Sequence, residues 1–284
     1  MNTLFRLFGH LPLIVLHFIG ACVGLLVWAV SARYRRTLAG NLSQALGRNA
    51  LLRECLANAI EAGKGAFETA WVWTQPQTRL VKAVRSTSGW EAMLAAHAKG
   101  RGTLFVTPHL GCFEISAQYF AAQTGPITVL FRPPRKNILA PLMQAGRNRG
   151  AMRAVPADAA GVRQLLKALK SGEAIGILPD QVPREGEGLW APFFGRPAYS
   201  MTLAARLAGN GGSSAWIAFA RRLRWGRGFH LHLEPLTLPE GAPAARVAAL
   251  NSALERQIRS CPAQYMWGYN RYKCPPGVTP PPAD

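Results

Sequence analysis

Residues 103–122 read TLFVTPHLGCFEISAQYFAA. TLFV is a short apolar run rich in buried-strand residue types, and ISAQYFAA has the composition of a helix. Between them Pro108 resists helix and Gly111 gives the chain freedom to bend. The stretch therefore reads as strand, turn, helix, with His109 just past the strand and Glu114 in the first helical turn. On a continuous helix, five residues turn about 500°, so the two side chains would not share a face. Across a bend at Gly111, Glu114 can face back toward the imidazole. A carboxylate on one ring nitrogen fixes the tautomer and leaves the other free to take a proton. Backbone N–H groups at the helix start attract a developing negative charge. That is the layout of a general base that activates a hydroxyl. An ordinary His–Glu hydrogen bond is the plain alternative, and the place at the C-terminal end of a strand, where α/β sheets hold ligands, favours chemistry.

Working outward, the strand–helix alternation continues. TLFVTP (103–108), ITVLFRP (127–133), AIGILPDQ (174–181), AWIAFARRL (215–223) and FHLHLEPL (229–236) read as strands. The second is stopped by Pro133 and Pro134, the third at Pro179. Helices are expected over 42–73, 89–100, 112–122, 138–149, 159–170, 202–210 and 244–259. The pattern predicts one α/β domain with a mainly parallel central sheet flanked by helices. The tail CPPGVTPPPAD is proline-rich and reads as loose beyond 276.

The 284 residues are 49% hydrophobic, enough for a sizeable core. Lys and Arg number 33 against 14 Asp and Glu, a formal net charge of +19, and 26 of the 33 are Arg. A planar guanidinium suits phosphate and carboxylate partners, so the partner is anionic. The densest basic stretch is Arg221, Arg222, Arg224 and Arg227 around Trp225, read as an exposed patch. The five Cys show no CxxC or zinc-like spacing and indicate reduced thiols.

Residues 11–30, LPLIVLHFIGACVGLLVWAV, carry no formal charge. As a helix they extend about 30 Å, the thickness of a bilayer core. Arg33, Arg35 and Arg36 follow against Arg6 before, which keeps the bulk of the chain on the cytoplasmic side. The stretch is read as an uncleaved membrane-anchoring helix over 1–32, ahead of a catalytic domain over 33–276. A cleaved signal peptide, an interfacial helix and a core helix are the other readings.

Six motifs follow one another: HLGCFE (109–114), FRP (131–133), GRNR (146–149), LPDQ (178–181), PFFGRPA (192–198) and IRSCPAQYMWGYNRYK (258–273), after RYRRTLAGNL (33–42). The set resembles the lipid A secondary acyltransferases of lauroyl/myristoyl type, within the His-x4-Asp/Glu glycerolipid-acyltransferase-like superfamily. The resemblance covers roughly residues 33–276. It implies an inner-membrane enzyme, active on the cytoplasmic face, moving an acyl chain from acyl carrier protein to a hydroxyl of a lipid A precursor without cofactor or metal. It makes His109 and Glu114 the catalytic pair. Arg147 then binds a precursor phosphate or supports the oxyanion. Arg149, Arg132, Asp180 and Gln181 are further substrate-binding candidates, and Phe193, Phe194 and Gly195 would form a wall or lid near the acyl chain. Anionic membrane lipids complete the expected partners.

The sequence departs from the family pattern at Cys112, Phe113, PAQ (262–264) and YNRY (269–272). Cys112 reads as a nucleophile or as a small residue packed beside the pair. Competing readings are an acyltransferase for lysophosphatidic acid, which usually carries an EGTR-like motif not found here, or for another glycolipid. A nucleic-acid-binding protein would explain the charge but not the apolar N-terminus. A serine hydrolase lacks its GxSxG elbow. His230, His232 and Glu234 share a strand face, as a metal site or as alternating strand residues.

Overall fold

The computed structural model describes residues 9–132 and 140–281. Pro133 and Pro134, and the start of the helix expected from 138, lie outside them. After α1 (Leu13–Val30) come α2 (Ala32–Leu46), α3 (Leu52–Thr74) and α4 (Gln77–Ala83). The single helix expected over 42–73 is broken at Gly47, which takes φ +66° beyond the end of α2. The body then runs β1 (Val84–Ser88), α5 (Trp90–His97), β2 (Thr103–Val106), α6 (Phe113–Gln123), β3 (Ile127–Phe131), α7 (Ala140–Arg147), β4 (Met152–Pro156), α8 (Ala159–Lys170) and β5 (Ala174–Ile177). A hairpin, β6 (Gly188–Phe193) and β7 (Arg196–Met201), and α9 (Leu203–Leu207) lead to β8 (Ser214–Arg222), β9 (Phe229–Pro235) and α10 (Pro243–Ser260).

Seven strands form the central sheet in the order β1-β9-β8-β2-β5-β3-β4. Every ladder is parallel except β8 with β9. The fold is therefore α/β with a mainly parallel sheet, as the alternation predicts. All four residues of β2 and all four of β5 are buried, as strands covered on both faces must be. Because β2 lies between β8 and β5, the loops after these three strands emerge side by side at one sheet edge.

The N-terminal helix α1 lies along α3. A Cβ on Gly24 would sit 2.1 Å from the Ala59 carbonyl oxygen, and one on Gly63 2.0 Å from that of Gly20. Only glycine permits this backbone approach. The contact also buries charge. Glu68 of α3, fully buried, accepts from Arg222 Nε (2.5 Å) and Nη2 (2.6 Å) and bonds His17 Nε2 of α1 at 2.5 Å. Arg222 Nη1 reaches Glu61 at 2.7 Å. Arg222 is thus a buried structural cation, not part of an exposed basic patch; Arg221, Arg224, Trp225 and Arg227 are the exposed members. Burial opposes ionisation of Glu68, yet Arg222 and His17 outweigh it and hold the carboxyl at about 2.

PFFG is not a lid. Phe194 and Gly195 form the two-residue turn of the β6–β7 hairpin at φ +50° and +73°. The Phe194 N–H donates to Glu255 Oε1 (2.6 Å) and its carbonyl accepts from Gln44 Nε2 (2.7 Å). Both phenylalanines are buried in the core. Of the candidate metal-site residues, His230 and His232 hydrogen-bond Ser86 and Ser88.

Candidate active site

The turn between β2 and α6 is pinned on two sides. Gly111 takes φ +61°, and a Cβ there would lie 2.1 Å from the Ala220 carbonyl oxygen. Its N–H donates to Gln264 O (3.1 Å), Cys112 N–H to Ala220 O (2.8 Å), and Met266 N–H to His109 O (3.2 Å). The 263–269 segment is held in turn by two buried asparagines. Asn58 Nδ2 donates to the carbonyls of Ala263 and Tyr265, and Asn41 Nδ2 to those of Trp267 and Tyr269. This is why a motif 150 residues downstream belongs to the same site: it is the far wall of the His109 turn.

The partner of His109 is Asp180. Thr107 N–H donates to Ile177 O (3.0 Å), so the ends of β2 and β5 are adjacent. The Asp180 carboxylate then takes two hydrogen bonds, from His109 Nδ1 at 2.7 Å and from its backbone N–H at 2.8 Å. Burial raises the Asp180 carboxyl, but the charge and two hydrogen bonds of His109, with Arg271 beyond, hold it below its ordinary value. An ionised Asp180 only accepts, so Nδ1 carries a proton, and in the neutral ring Nε2 keeps its lone pair. Gln181 Nε2 lies 3.2 Å from Nε2 and donates to it.

Glu114 is placed differently from the expectation that it faces the imidazole. It is buried and accepts from Arg147 Nε at 3.1 and 3.2 Å, from Arg147 Nη2, and from Trp73 Nε1 at 3.0 Å. The guanidinium of Arg147 stacks over Trp73 and Phe131. Glu114 therefore fixes Arg147, while Asp180 fixes His109.

His109, Glu114, Arg132, Arg147 and Gln181 all line one cavity of about 260 Å3, whose remaining wall is apolar, from Phe113, Leu130, Met143 and Leu178 among others. Arg132 stands half-exposed at it, donating to Val182 O at 3.3 Å. Phe193 and Phe194 do not line it. Nor does Arg149, which donates to Val72 O (3.1 Å) and Gln75 O (2.6 Å) and so caps the last turn of α3. Cys112 is buried beneath the turn; burial first, then the charge of Glu68, push its thiol well up. A thiolate nucleophile is not available there.

Three residues that sequence reasoning left without a role matter here. Trp73 holds Glu114. Arg271 donates to Tyr199 O (2.8 Å) and Ser200 Oγ (2.7 Å) and lends positive charge to Asp180. Asn58 holds the far wall. Only Arg271 lay within a quoted motif.

The site is thus a buried Asp180 holding a partly buried His109 at the C-terminal edge of an α/β sheet, opening on an apolar cleft with an arginine fixed on its wall. That is the constitution of an enzyme handling an apolar substrate with a polar reacting group. The profile of the family described as Bacterial lipid A biosynthesis acyltransferase matches residues 1–274. The chain belongs to this family, and it is an acyltransferase of lipid A biosynthesis. It is 26% identical over 280 residues to the Lipid A biosynthesis lauroyltransferase of Escherichia coli K12, covering 95% of this chain and 89% of that one. It is 25% identical over 283 residues to the Lipid A biosynthesis palmitoleoyltransferase of the same organism, with the same coverage. A Lipid A biosynthesis acyltransferase of Haemophilus influenzae matches at 25% over 237 residues, 81% of this chain and 72% of that one.

Proposed function

We propose that this protein transfers a fatty acyl chain from acyl carrier protein to a hydroxyl of a lipid A precursor, at the cytoplasmic face of a bacterial inner membrane. The observation that carries the mechanism is the tautomer imposed on His109: Asp180 holds Nδ1–H, and Nε2 presents a lone pair to the cleft. The acceptor hydroxyl displaces the Gln181 amide from Nε2 and gives up its proton there. Its oxygen attacks the thioester carbonyl. The C–O bond forms, the C–S bond breaks, and the imidazolium returns the proton to the departing thiolate. Asp180 stabilises the imidazolium meanwhile. The carboxylate of the His-Glu pair acts one step removed: Glu114 orients Arg147, whose charge faces the developing oxyanion. Arg132, at the rim, suits a phosphate of the acceptor. The apolar wall shields acyl methylenes, each worth about 0.8 kcal/mol on leaving water. The basic surface suits acidic acyl carrier protein and anionic lipids.

A single-turnover assay tests this. Thioester loss from acyl carrier protein should require both the lipid A precursor and His109. Acceptor-dependent turnover in His109→Ala comparable to the wild type would remove the general base from the scheme.

A further inference from the structure

A second cavity, of about 210 Å3, shares no residue with the active-site cleft. Pro12, Leu13, Trp71, Arg79, Lys82 and Arg85 line it, and among the described residues no acidic one does. None of the three cations is in an ion pair among the described residues. Arg79 donates only to Gln75 Oε1 and Arg85 to Arg227 O, which leaves their remaining N–H groups free for an anion. Trp71 is 3% exposed, yet its Nε1–H has no partner among the described residues. Trp71 supplies the aromatic wall of the cavity. The first turn of α1 closes the cavity, with no side-chain cap and no acidic residue. The dipole of α1 adds further positive potential. Three unpaired cations and an uncapped helix start border one small space: the ligand is a phosphate-type anion.

The surroundings say which source. One face of α1 is fixed to α3 through Leu16, His17, Gly20 and Gly24; the other exposes only apolar residues, with Phe18 at 72% and Val30 at 74%. A helix fastened along α3 cannot cross a bilayer alone. It would drag Glu61, Lys64 and Glu68 into hydrocarbon. It can lie in the plane of one leaflet with its outer face submerged. Trp225, 78% exposed and held at φ +61°, stands beside it, since Gly226 packs against the Ile14 backbone. An exposed Trp flanked by Arg224 and Arg227 suits a headgroup boundary. The sequence has six Arg and no Asp or Glu before Glu54, so the apolar face is framed by positive charge.

We propose that this cavity binds the phosphate of an anionic phospholipid, while the outer face of α1 rests in the same leaflet. The inference deepens the membrane part of the proposed function and is independent of the acyl-transfer part. Full-length protein would be tested by flotation with vesicles of phosphatidylcholine, with and without phosphatidylglycerol, and by native mass spectrometry in neutral detergent. Flotation with phosphatidylglycerol vesicles and retention of one phosphatidylglycerol are expected. Lys82→Gln should weaken retention on the order of tenfold, while Arg33→Gln/Arg36→Gln, also lowering charge, should leave it unchanged. Absence of flotation would overturn the membrane placement. Flotation with equal retention in Lys82→Gln and wild type, or equal loss in the Arg33/Arg36 control, would overturn the site. Inorganic phosphate binding with the same variant dependence, without lipid retention, would overturn the lipid assignment. Acyl-transfer assays in detergent are unaffected by any of these results.

Discussion

Asp180→Asn separates the proposed mechanism from its nearest competitor. The carboxylate takes two hydrogen bonds from His109, Nδ1–H at 2.7 Å and the backbone N–H at 2.8 Å. An amide of the same shape has one acceptor and one donor group. The backbone N–H cannot change role, so the amide oxygen must face it. The amide NH2 then faces Nδ1 and donates, which moves the ring proton to Nε2. His109 is left in the wrong tautomer, with no lone pair for the acceptor hydroxyl. Loss of a general base costs about 10²–10⁴ in rate, roughly 3–5 kcal/mol of transition-state stabilisation at 1.36 kcal/mol per decade. Steady-state kinetics with acyl carrier protein thioester should show this loss in kcat with KM little changed. Glu114→Gln, by contrast, keeps the His109 tautomer and should act through Arg147. If Asp180→Asn stays within threefold of wild type while Glu114→Gln loses the full factor, Glu114 orients the imidazole and the Asp180 argument is wrong.

Cys112→Ala should retain activity within a few-fold, because the buried thiol is protonated; loss of all turnover with the fold intact would restore the nucleophile reading. Glu68→Gln leaves buried Arg222 with Glu61 as its one remaining carboxylate and should cost about 3 kcal/mol, read as a lower denaturation midpoint. The depressed carboxyls give stability a defined acid limb. Glu68, at about 2 in the fold, and Asp180, also lowered, stabilise the protein fully above the ordinary carboxylate range. That contribution falls as pH drops from the ordinary value through the folded one. Urea midpoints between pH 6 and pH 3 should decline, and less so in Glu68→Gln.

The strands legible in the sequence were apolar runs or clean apolar–polar alternations. TLFV and AIGI are short buried runs with Pro108 and Pro179 close behind them, and FHLHLEP alternates buried with half-buried residues. The strands not expected are those that are polar or interrupted by proline. β1 is VRSTS on the sheet edge, β4 is a five-residue edge strand ending in Pro156, and the β6–β7 hairpin carries Pro192 and Pro197. The site was legible in its residues and not in its pairing. Both His109 and Asp180 were placed at strand ends, but nothing local says that β2 and β5, 71 residues apart, are neighbours. With only four residues between them, His109 and Glu114 looked like partners. The turn at Gly111 instead sends Glu114 toward Trp73 and Arg147. Arg222 looked like a surface cation because its acids, Glu61 and Glu68, are about 160 residues away.

The most direct test of the central claim is mass spectrometry of the product. Full-length protein would be offered acyl carrier protein charged with several chain lengths, a lipid A precursor and lysophosphatidic acid, with His109→Ala run alongside. The account predicts one added acyl mass on the lipid A precursor, missing in the variant. Acylation of lysophosphatidic acid alone, or of the precursor by both proteins equally, would contradict it.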